Sequence, residues 1–166
     1  MPEKNHSFYL RNCYLENTLS KGEMTVAGER LDLGKVTIPI FNLAAREDHI
    51  APAKSVFNGC ALFGGPVDYV MAGSGHIAGV VNPPASPDAK PKYQYWTGGP
   101  AKGRFEDWVS AARETPGSWW PAWFEWIKKQ APQTVKARAT LGSRKHKPLC
   151  DAPGTCLLYT SDAADE

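Results

Sequence analysis

A largely apolar run occupies residues 36–45, VTIPIFNLAA, in which β-branched side chains are frequent. Because consecutive rather than alternate positions are apolar, the run predicts a strand covered on both faces of a parallel sheet. Pro39 restricts this strand to a start or a sheet edge at that point. Pro52 suits the first turn of a helix that ends at Phe63, and residues 67–71 predict the next strand. Strand, helix and strand in this order predict a βαβ unit and an α/β fold class.

The flanking sequence predicts further helices. Apolar residues at helical spacing predict a helix over residues 6–20, and Ala27-Gly28 predicts the turn of a short hairpin. Residues 80–102 are rich in Pro, Gly and Lys, which is typical of a long surface loop. Two amphipathic helices are predicted after it, in the stretches RFEDWVSAARET and SWWPAWFEWIKKQ.

The end of the chain differs in character from what precedes it. Residues beyond Pro132 predict an extended basic tail, and the last segment, CLLYTSDAADE, is suddenly acidic and small. That segment resembles the in-frame translation of a sequencing adapter, so we leave it out of the fold. The chain is therefore divided into a domain portion at 1–131, a basic tail at 132–155 and the adapter-like segment at 156–166.

Composition narrows the class of protein. A length of 166 residues, with 42% hydrophobic and 22% charged residues, is typical of one soluble globular domain. No run approaches the ~18 apolar residues of a membrane span, and the start lacks the pattern of a signal peptide, so a cytoplasmic location is predicted. A net charge of +2 gives no reason to expect nucleic acid as a partner. The cysteines are widely spaced, so neither a zinc site nor a disulfide framework is indicated; they are Cys13, Cys60, Cys150 and Cys156.

An acidic residue and a histidine follow the two predicted strands of the βαβ unit. Asp48 comes after the first strand in AAREDHIAP, and His76 comes after the second in AGSGHIAG. Functional side chains gather at the carboxyl ends of parallel strands, and a carboxylate beside an imidazole can orient it as a general base. The plainer interpretations stay open here: Asp48 as a cap for the following helix, and His76 as a structural loop residue.

The nucleophile that such a pair would serve is not evident. The strand-to-helix elbow of α/β-hydrolases places Ser or Cys in Gly-x-Ser/Cys-x-Gly, ahead of the acid and the histidine. No such motif occurs in the chain. Cys60 lacks the flanking glycines and falls inside the predicted helix, so we interpret it as a buried core thiol. Cys13 also lacks them.

Three motifs carry a family resemblance: REDHIAP, GSGHIAGVVNPP and GSWWPAW, in that order. Together with the flanking sequence over residues 1–155, they resemble the C-terminal part of class I polyhydroxyalkanoate synthases. The resemblance implies the last strands of a parallel sheet with flanking helices, an incomplete α/β-hydrolase fold. It also implies a Cys-His-Asp triad in which Asp48 and His76 are the acid and the base, with the cysteine located before residue 1.

The same resemblance implies the chemistry and the partners. The substrates would be (R)-3-hydroxyacyl-CoA and the growing polyester chain, with no metal or cofactor, since a thioester carries its own leaving group. His76 would activate both the cysteine and the attacking hydroxyl, and direct activation of the hydroxyl by Asp48 is the rival assignment. Glu47 and His49 are interpreted as solvated or supporting residues. A polymer granule surface and a second copy in a homodimer are the implied macromolecular partners.

Two other functions stay open at this point. A fragment of an esterase or of a polyhydroxyalkanoate depolymerase would use the same acid and base with water as the acceptor. A non-catalytic module would coat granules through the tryptophan-rich stretch at residues 119–126. The plainer interpretation of those tryptophans is that they pack the last helix onto the sheet.

Overall fold

The structure is a computed structural model, and it describes residues 1–152 and 154. The chain divides into two compact units, Met1–Gln130 and Ala131–Glu166. The first holds a mixed sheet with helices on it, an α/β arrangement. In the second, the described residues form turns and bends, without a helix or strand among them. The adapter-like segment at 156–166 lies outside the described residues.

The main sheet has four strands, numbered β3 to β6 because two short strands, β1 (Thr25–Val26) and β2 (Glu29–Arg30), precede them in the chain, and they lie side by side in that order. Strands β3 (Ile40–Ala45) and β4 (Val67–Ala72) are parallel, with Ile40 opposite Val67 and Ala45 opposite Ala72. Strands β5 (Gln94–Thr97) and β6 (Arg113–Pro116) continue the sheet in antiparallel pairings. The predicted parallel pair is therefore present, but the sheet as a whole is mixed.

The connection between the parallel strands is the predicted helix. Pro39 directly precedes β3, and Pro52 caps α2 (Ala53–Gly59), which continues as a 3₁₀ turn over Cys60–Leu62. Both prolines thus lie where a missing N–H costs nothing: outside a strand and before a helix. The βαβ unit predicted from the apolar pattern is confirmed.

Alternate side chains of the strands are buried in two separate cores, one on each face of the sheet. This explains why consecutive positions of the strands are apolar. One core lies under α2 and α3 (Phe105–Ala111) and includes Phe57, Tyr69 and Met71. The other contains Val70, Ala72, Tyr95 and Trp119 and is covered by residues of α4 (Trp120–Gln130). Since side chains of a strand alternate between faces, adjacent residues such as Tyr69 and Val70 are buried in different cores.

The prediction of a continuous surface loop at 80–102 is wrong, because β5 lies within it. A strand of four residues in a Pro- and Gly-rich stretch gives little local signal, and β5 exists because it pairs with β4. The predicted helix over 104–115 is also too long. It ends at Ala111, and residues 113–116 form β6 against β5, where Pro116 can close an edge strand.

The N-terminal helical segment starts and ends earlier than the predicted helix over residues 6–20. It consists of α1 (Glu3–Tyr9) and a π-helical turn over Leu10–Leu15. The backbone then reverses at Asn17, whose φ of 49° is the left-handed conformation in which helices commonly end. The predicted hairpin is present as β1 (Thr25–Val26) and β2 (Glu29–Arg30), joined through Ala27 and Gly28.

Candidate active site

Asp48 and His76 meet where the two parallel strands end. Asp48 follows β3 by three residues, and His76 follows β4 by four. The ring nitrogen Nδ1 of His76 lies 2.7 Å from Oδ2 of Asp48. A carboxylate only accepts hydrogen bonds, so Nδ1 carries the proton and donates it to Asp48. In the neutral imidazole, Nε2 is then the ring nitrogen that carries the lone pair.

The two loops that carry these side chains are tied together through their backbones. The N–H of Arg46 donates to the carbonyl of Ala72 at 2.8 Å, and the N–H of Glu47 donates to the carbonyl of Ser74 at 3.1 Å. Ser74 adopts a φ of 72°, an uncommon conformation for a residue with a side chain. The parallel register is thus extended past the strands, which fixes the distance between Asp48 and His76.

The carboxylate of Asp48 is buried and fully engaged. Its side chain is only 5% exposed, and Oδ1 accepts hydrogen bonds from the N–H groups of Ile50 and Ala51 at 2.8 and 2.9 Å. These bonds, led by that of Ala51 and joined by His76, lower the pKa of Asp48 from 3.8 to about 2. Asp48 therefore closes a turn before α2, while Pro52 occupies the helix cap itself.

The imidazole of His76 is half-exposed, whereas the carboxylate that it contacts is buried. Its side chain is 47% exposed, so a reacting group could approach the ring without displacing the core. The adjacent residues Glu47 and His49 are exposed. A half-exposed imidazole held by a buried carboxylate has the arrangement that general-base catalysis requires.

Gly79 lets the loop after β4, residues 73–81 and hereafter the His76 loop, fold tightly against β3. A Cβ added at Gly79 would lie 2.6 Å from the carbonyl oxygen of Gly73 and 3.0 Å from Cβ of Ala45. The corresponding atom at Gly75 would meet nothing nearer than 3.9 Å. Only glycine fits at position 79 without moving the loop.

The structure places Cys60 in a core, away from any elbow. Cys60 is 4% exposed and belongs to the cluster with Phe57 and Tyr69. Its sulfur accepts a hydrogen bond from Nδ2 of Asn42 at 3.1 Å, and burial raises the pKa of its thiol. A reactive thiol needs a lowered pKa and access, so Cys60 is a structural residue, as the sequence predicted. Cys13 is exposed.

Two clefts lie along the first unit. A cavity of about 370 Å³ borders Asp48 and is also lined by Arg46, Lys54 and Phe105. A larger cleft, of about 860 Å³, lies at the opposite ends of the parallel strands, where Pro66, Val67 and Asp68 line it. Asp48 lines the smaller cavity, and neither Asp48 nor His76 lines the larger one.

The tryptophan-rich stretch packs onto the sheet, as the plainer interpretation predicted. Trp119 is buried beside Val70 and Tyr95, and its ring stacks on Phe41 of β3 with centroids 6.0 Å apart. The indole N–H groups of Trp119 and Trp120 also donate to carbonyls of the His76 loop. Sequence reasoning missed these bonds, because nothing in the sequence links positions 40 residues apart.

The part of the chain that the structure describes, residues 1–152 and 154, contains neither a cluster of metal ligands nor a helix that could cross a membrane. No group of three or more His, Cys, Asp and Glu side chains there is arranged to hold a metal ion. In the same part of the chain, no helix has the length and apolar character needed to cross a membrane.

Comparison with known proteins identifies homologues over almost the whole chain. No protein-family model matches it. The poly(3-hydroxyalkanoate) polymerase of Methylorubrum extorquens is 64% identical over 155 residues, which is 93% of this chain and 25% of the relative. The polymerase subunit PhaC of Rhizobium meliloti is 59% identical, and that of Cupriavidus necator 37% identical, over the same share of the chain. The chain spans about a quarter of the length of these curated relatives and belongs to the poly(3-hydroxyalkanoate) polymerase family.

Proposed function

We propose that this chain supplies the acid and base of a polyhydroxyalkanoate synthase, with His76 as general base and Asp48 as the residue that orients it. The observation that carries the proposal is the 2.7 Å contact between Nδ1 of His76 and Oδ2 of Asp48 at the ends of adjacent parallel strands. This is the position and geometry of the corresponding pair in an α/β-hydrolase fold, of which residues 1–131 would form an incomplete part.

The nucleophile belongs to the part of the family's length that this chain does not span. In the proposed reaction, a cysteine thiol gives its proton to Nε2 of His76 and attacks the thioester carbon of an (R)-3-hydroxyacyl-CoA. The new carbon–sulfur bond forms as the bond to the CoA sulfur breaks, and the CoA thiolate takes the proton from His76. No metal or cofactor is needed, since the thiolate of CoA is itself the leaving group.

Chain growth needs a second proton transfer. The hydroxyl of a bound acyl unit gives its proton to Nε2 as its oxygen attacks the carbonyl carbon of another thioester. The new carbon–oxygen bond of the ester forms as the carbon–sulfur bond breaks, and the released thiolate takes the proton from His76. Direct deprotonation by Asp48 fits less well. Its side chain is almost fully buried, and its two oxygens already accept hydrogen bonds from Ile50, Ala51 and His76.

A hydrolase with the same pair is the main alternative. Acid and base alone would serve water as readily as a hydroxyacyl chain, so geometry does not separate an esterase or depolymerase from a synthase. The relatives favour the synthase, since those above 55% identity are named as polymerases. Granule association, a cytoplasmic location and a homodimer belong to the same proposal. The exposed side of α4, where Phe124 is 47% exposed, is the surface through which a granule would be contacted.

The test places this chain in the context of a full-length relative. Residues 1–155 replace the matching segment of the Methylorubrum extorquens polymerase, and release of CoA from 3-hydroxybutyryl-CoA is measured. We expect the chimaera to turn over and Asp48→Asn to slow it by about 10⁴-fold, the size of the same change in a serine-protease triad. Glu47→Gln, an exposed neighbouring carboxylate, is the matched control. Equal rates for the Asp48 and Glu47 variants would refute the proposal.

A further inference from the structure

The side chain of Trp119 hydrogen-bonds to the backbone of the His76 loop. Its indole N–H lies 3.2 Å from the carbonyl oxygen of Gly79 and 3.1 Å from that of Val80. Trp120 donates to the same Val80 carbonyl at 3.1 Å. These carbonyls belong to the residues three and four positions after His76, within the turn that also bonds Gly79 to Gly75.

The same indole contacts the strand that leads to Asp48. Trp119 is 9% exposed, and its ring stacks on Phe41 of β3. One side chain therefore touches both the strand that carries Asp48 and the loop that carries His76. Such a side chain can set the separation of the two loops because a buried indole has little rotational freedom.

The His76 loop is closely packed at Gly79. Gly79 lies so close to Gly73, Gly75 and Ala45 that it has no room for a methyl group. If the carbonyl of Gly79 were released from Trp119, the loop could rise toward solvent, and it would carry His76 with it. The 2.7 Å contact with Asp48 would then lengthen.

We propose that Trp119 is a positioning residue for His76: its indole N–H, through the carbonyls of Gly79 and Val80, keeps Nδ1 of His76 on Asp48. This inference rests on the proposed function, in which that contact selects the tautomer with a free Nε2. Trp119 hydrogen-bonds the backbone of the loop and not the imidazole, so its effect would pass through the orientation of the ring.

The test is made on the chimaera of residues 1–155 with the Methylorubrum extorquens polymerase, labelled with ¹⁵N-histidine, and the His76 signal is assigned from its loss in His76→Ala. Long-range ¹H–¹⁵N correlation spectra report which ring nitrogen of His76 is protonated. Trp119→Phe keeps an aromatic ring on Phe41 but removes the donor. We expect a single Nδ1–H form in the unsubstituted chain and its loss to a mixture of tautomers in Trp119→Phe. The matched control is Trp126→Phe, which removes an indole bond from the same helix to Oδ2 of Asp68, outside the His76 loop, and should keep the single form.

The arms of the experiment separate this inference from the proposed function. Asp48→Asn should produce the mixture by itself, and an unchanged spectrum in that variant would sink the proposed pair. A mixture in Asp48→Asn together with a single form in Trp119→Phe would overturn only the role of Trp119. The role of Trp119 would also be overturned if Trp126→Phe gave the same mixture of tautomers as Trp119→Phe. The effect would then reflect a general loosening of the packing between α4 and the sheet.

A second measurement decides the matter if Trp119→Phe does not fold. Coupling between two sites is reciprocal, so loss of the Asp48 contact should in turn loosen Trp119. Asp48→Asn should speed exchange of the Trp119 indole proton with D₂O by about tenfold, the scale of one or two lost hydrogen bonds, and leave the Trp126 indole proton unchanged. Equal exchange of the Trp119 proton in both chains would overturn the inference.

Discussion

Asp48 has two functions at the scale of a single residue, and they reinforce each other. One carboxylate oxygen closes the turn before α2 through Ile50 and Ala51, and the other holds His76. The alternatives left open by the sequence, a local structural role and a catalytic role, are therefore compatible. The turn presents the carboxylate rigidly, and a rigid carboxylate is what an imidazole partner needs.

The lowered pKa of Asp48 predicts a dependence of stability on pH. Its pKa is about 2 in the fold, against an ordinary value of 3.8. The carboxylate therefore contributes its full stabilisation above about pH 4, and this contribution is lost as the pH falls from about 4 to about 2. In urea unfolding at a series of pH values, Asp48→Asn should show a flatter profile in this window than the unsubstituted chain. Glu47→Gln, the exposed neighbour, should not; parallel profiles for all three chains would contradict the assignment.

Cys60 should behave as a core residue and not as a nucleophile. Cys60→Ala removes a buried sulfur and leaves Nδ2 of Asn42 without its partner, so unfolding should become easier by about 1–3 kcal/mol. The synthase activity of the chimaera at low temperature should be retained. Alkylation followed by peptide mapping checks access: exposed Cys13 should react in the folded chain and Cys60 only after unfolding. Loss of turnover in a folded Cys60→Ala chimaera would overturn this interpretation.

At the scale of elements, the His76 loop depends on the absence of a side chain at position 79. Gly79→Ala would force a methyl group against the carbonyls of Gly73 and Gly75, and overpacking of this kind costs about 1–3 kcal/mol. Gly75→Ala, in the same loop, meets only ordinary contacts and should be close to neutral. Thermal unfolding of both variants is the measurement. Equal destabilisation would mean that the loop resists any substitution, and that the close approach at Gly79 is not the cause.

The elements that could be predicted from sequence are those with a strong local signal. Residues 40–45 and 67–72 are apolar except for Asn42 and Asp68, and Pro52 marks the helix between them. These signals predict the βαβ unit, and with it the proximity of Asp48 and His76. Strands β5 and β6 have four residues each and depend on partners that lie far away in the sequence. The bonds from Trp119 to the His76 loop are likewise a product of tertiary packing, and no spacing rule predicts them.

At the scale of the whole molecule, β3 is an edge strand of the main sheet. It lies at one end of the strand order, and its residues are apolar toward both cores. In the proposed hydrolase-like sheet, this edge would pair with a further parallel strand. An unpaired apolar edge is a template for aggregation, so the chain by itself should associate or pack loosely.

This prediction can be checked on purified residues 1–155. We expect binding of a dye for exposed apolar surface and a broad thermal transition, as in loosely packed states. The chimaera, in which the proposed sheet would place a further strand beside β3, serves as the comparison and should bind less dye for the same protein mass. A soluble monomer with a sharp transition and little dye binding would show that this chain is a self-sufficient domain.

The most direct test of the central claim is the turnover of 3-hydroxybutyryl-CoA by the chimaera with His76→Ala, beside the chimaera with His49→Ala. Both substitutions remove an exposed imidazole from the same edge of the sheet, but only His76 contacts Asp48. The proposed mechanism predicts that CoA release and polymer formation both disappear in the His76 variant, while the His49 variant keeps measurable turnover. Near-normal turnover in a folded His76→Ala chimaera would contradict the account.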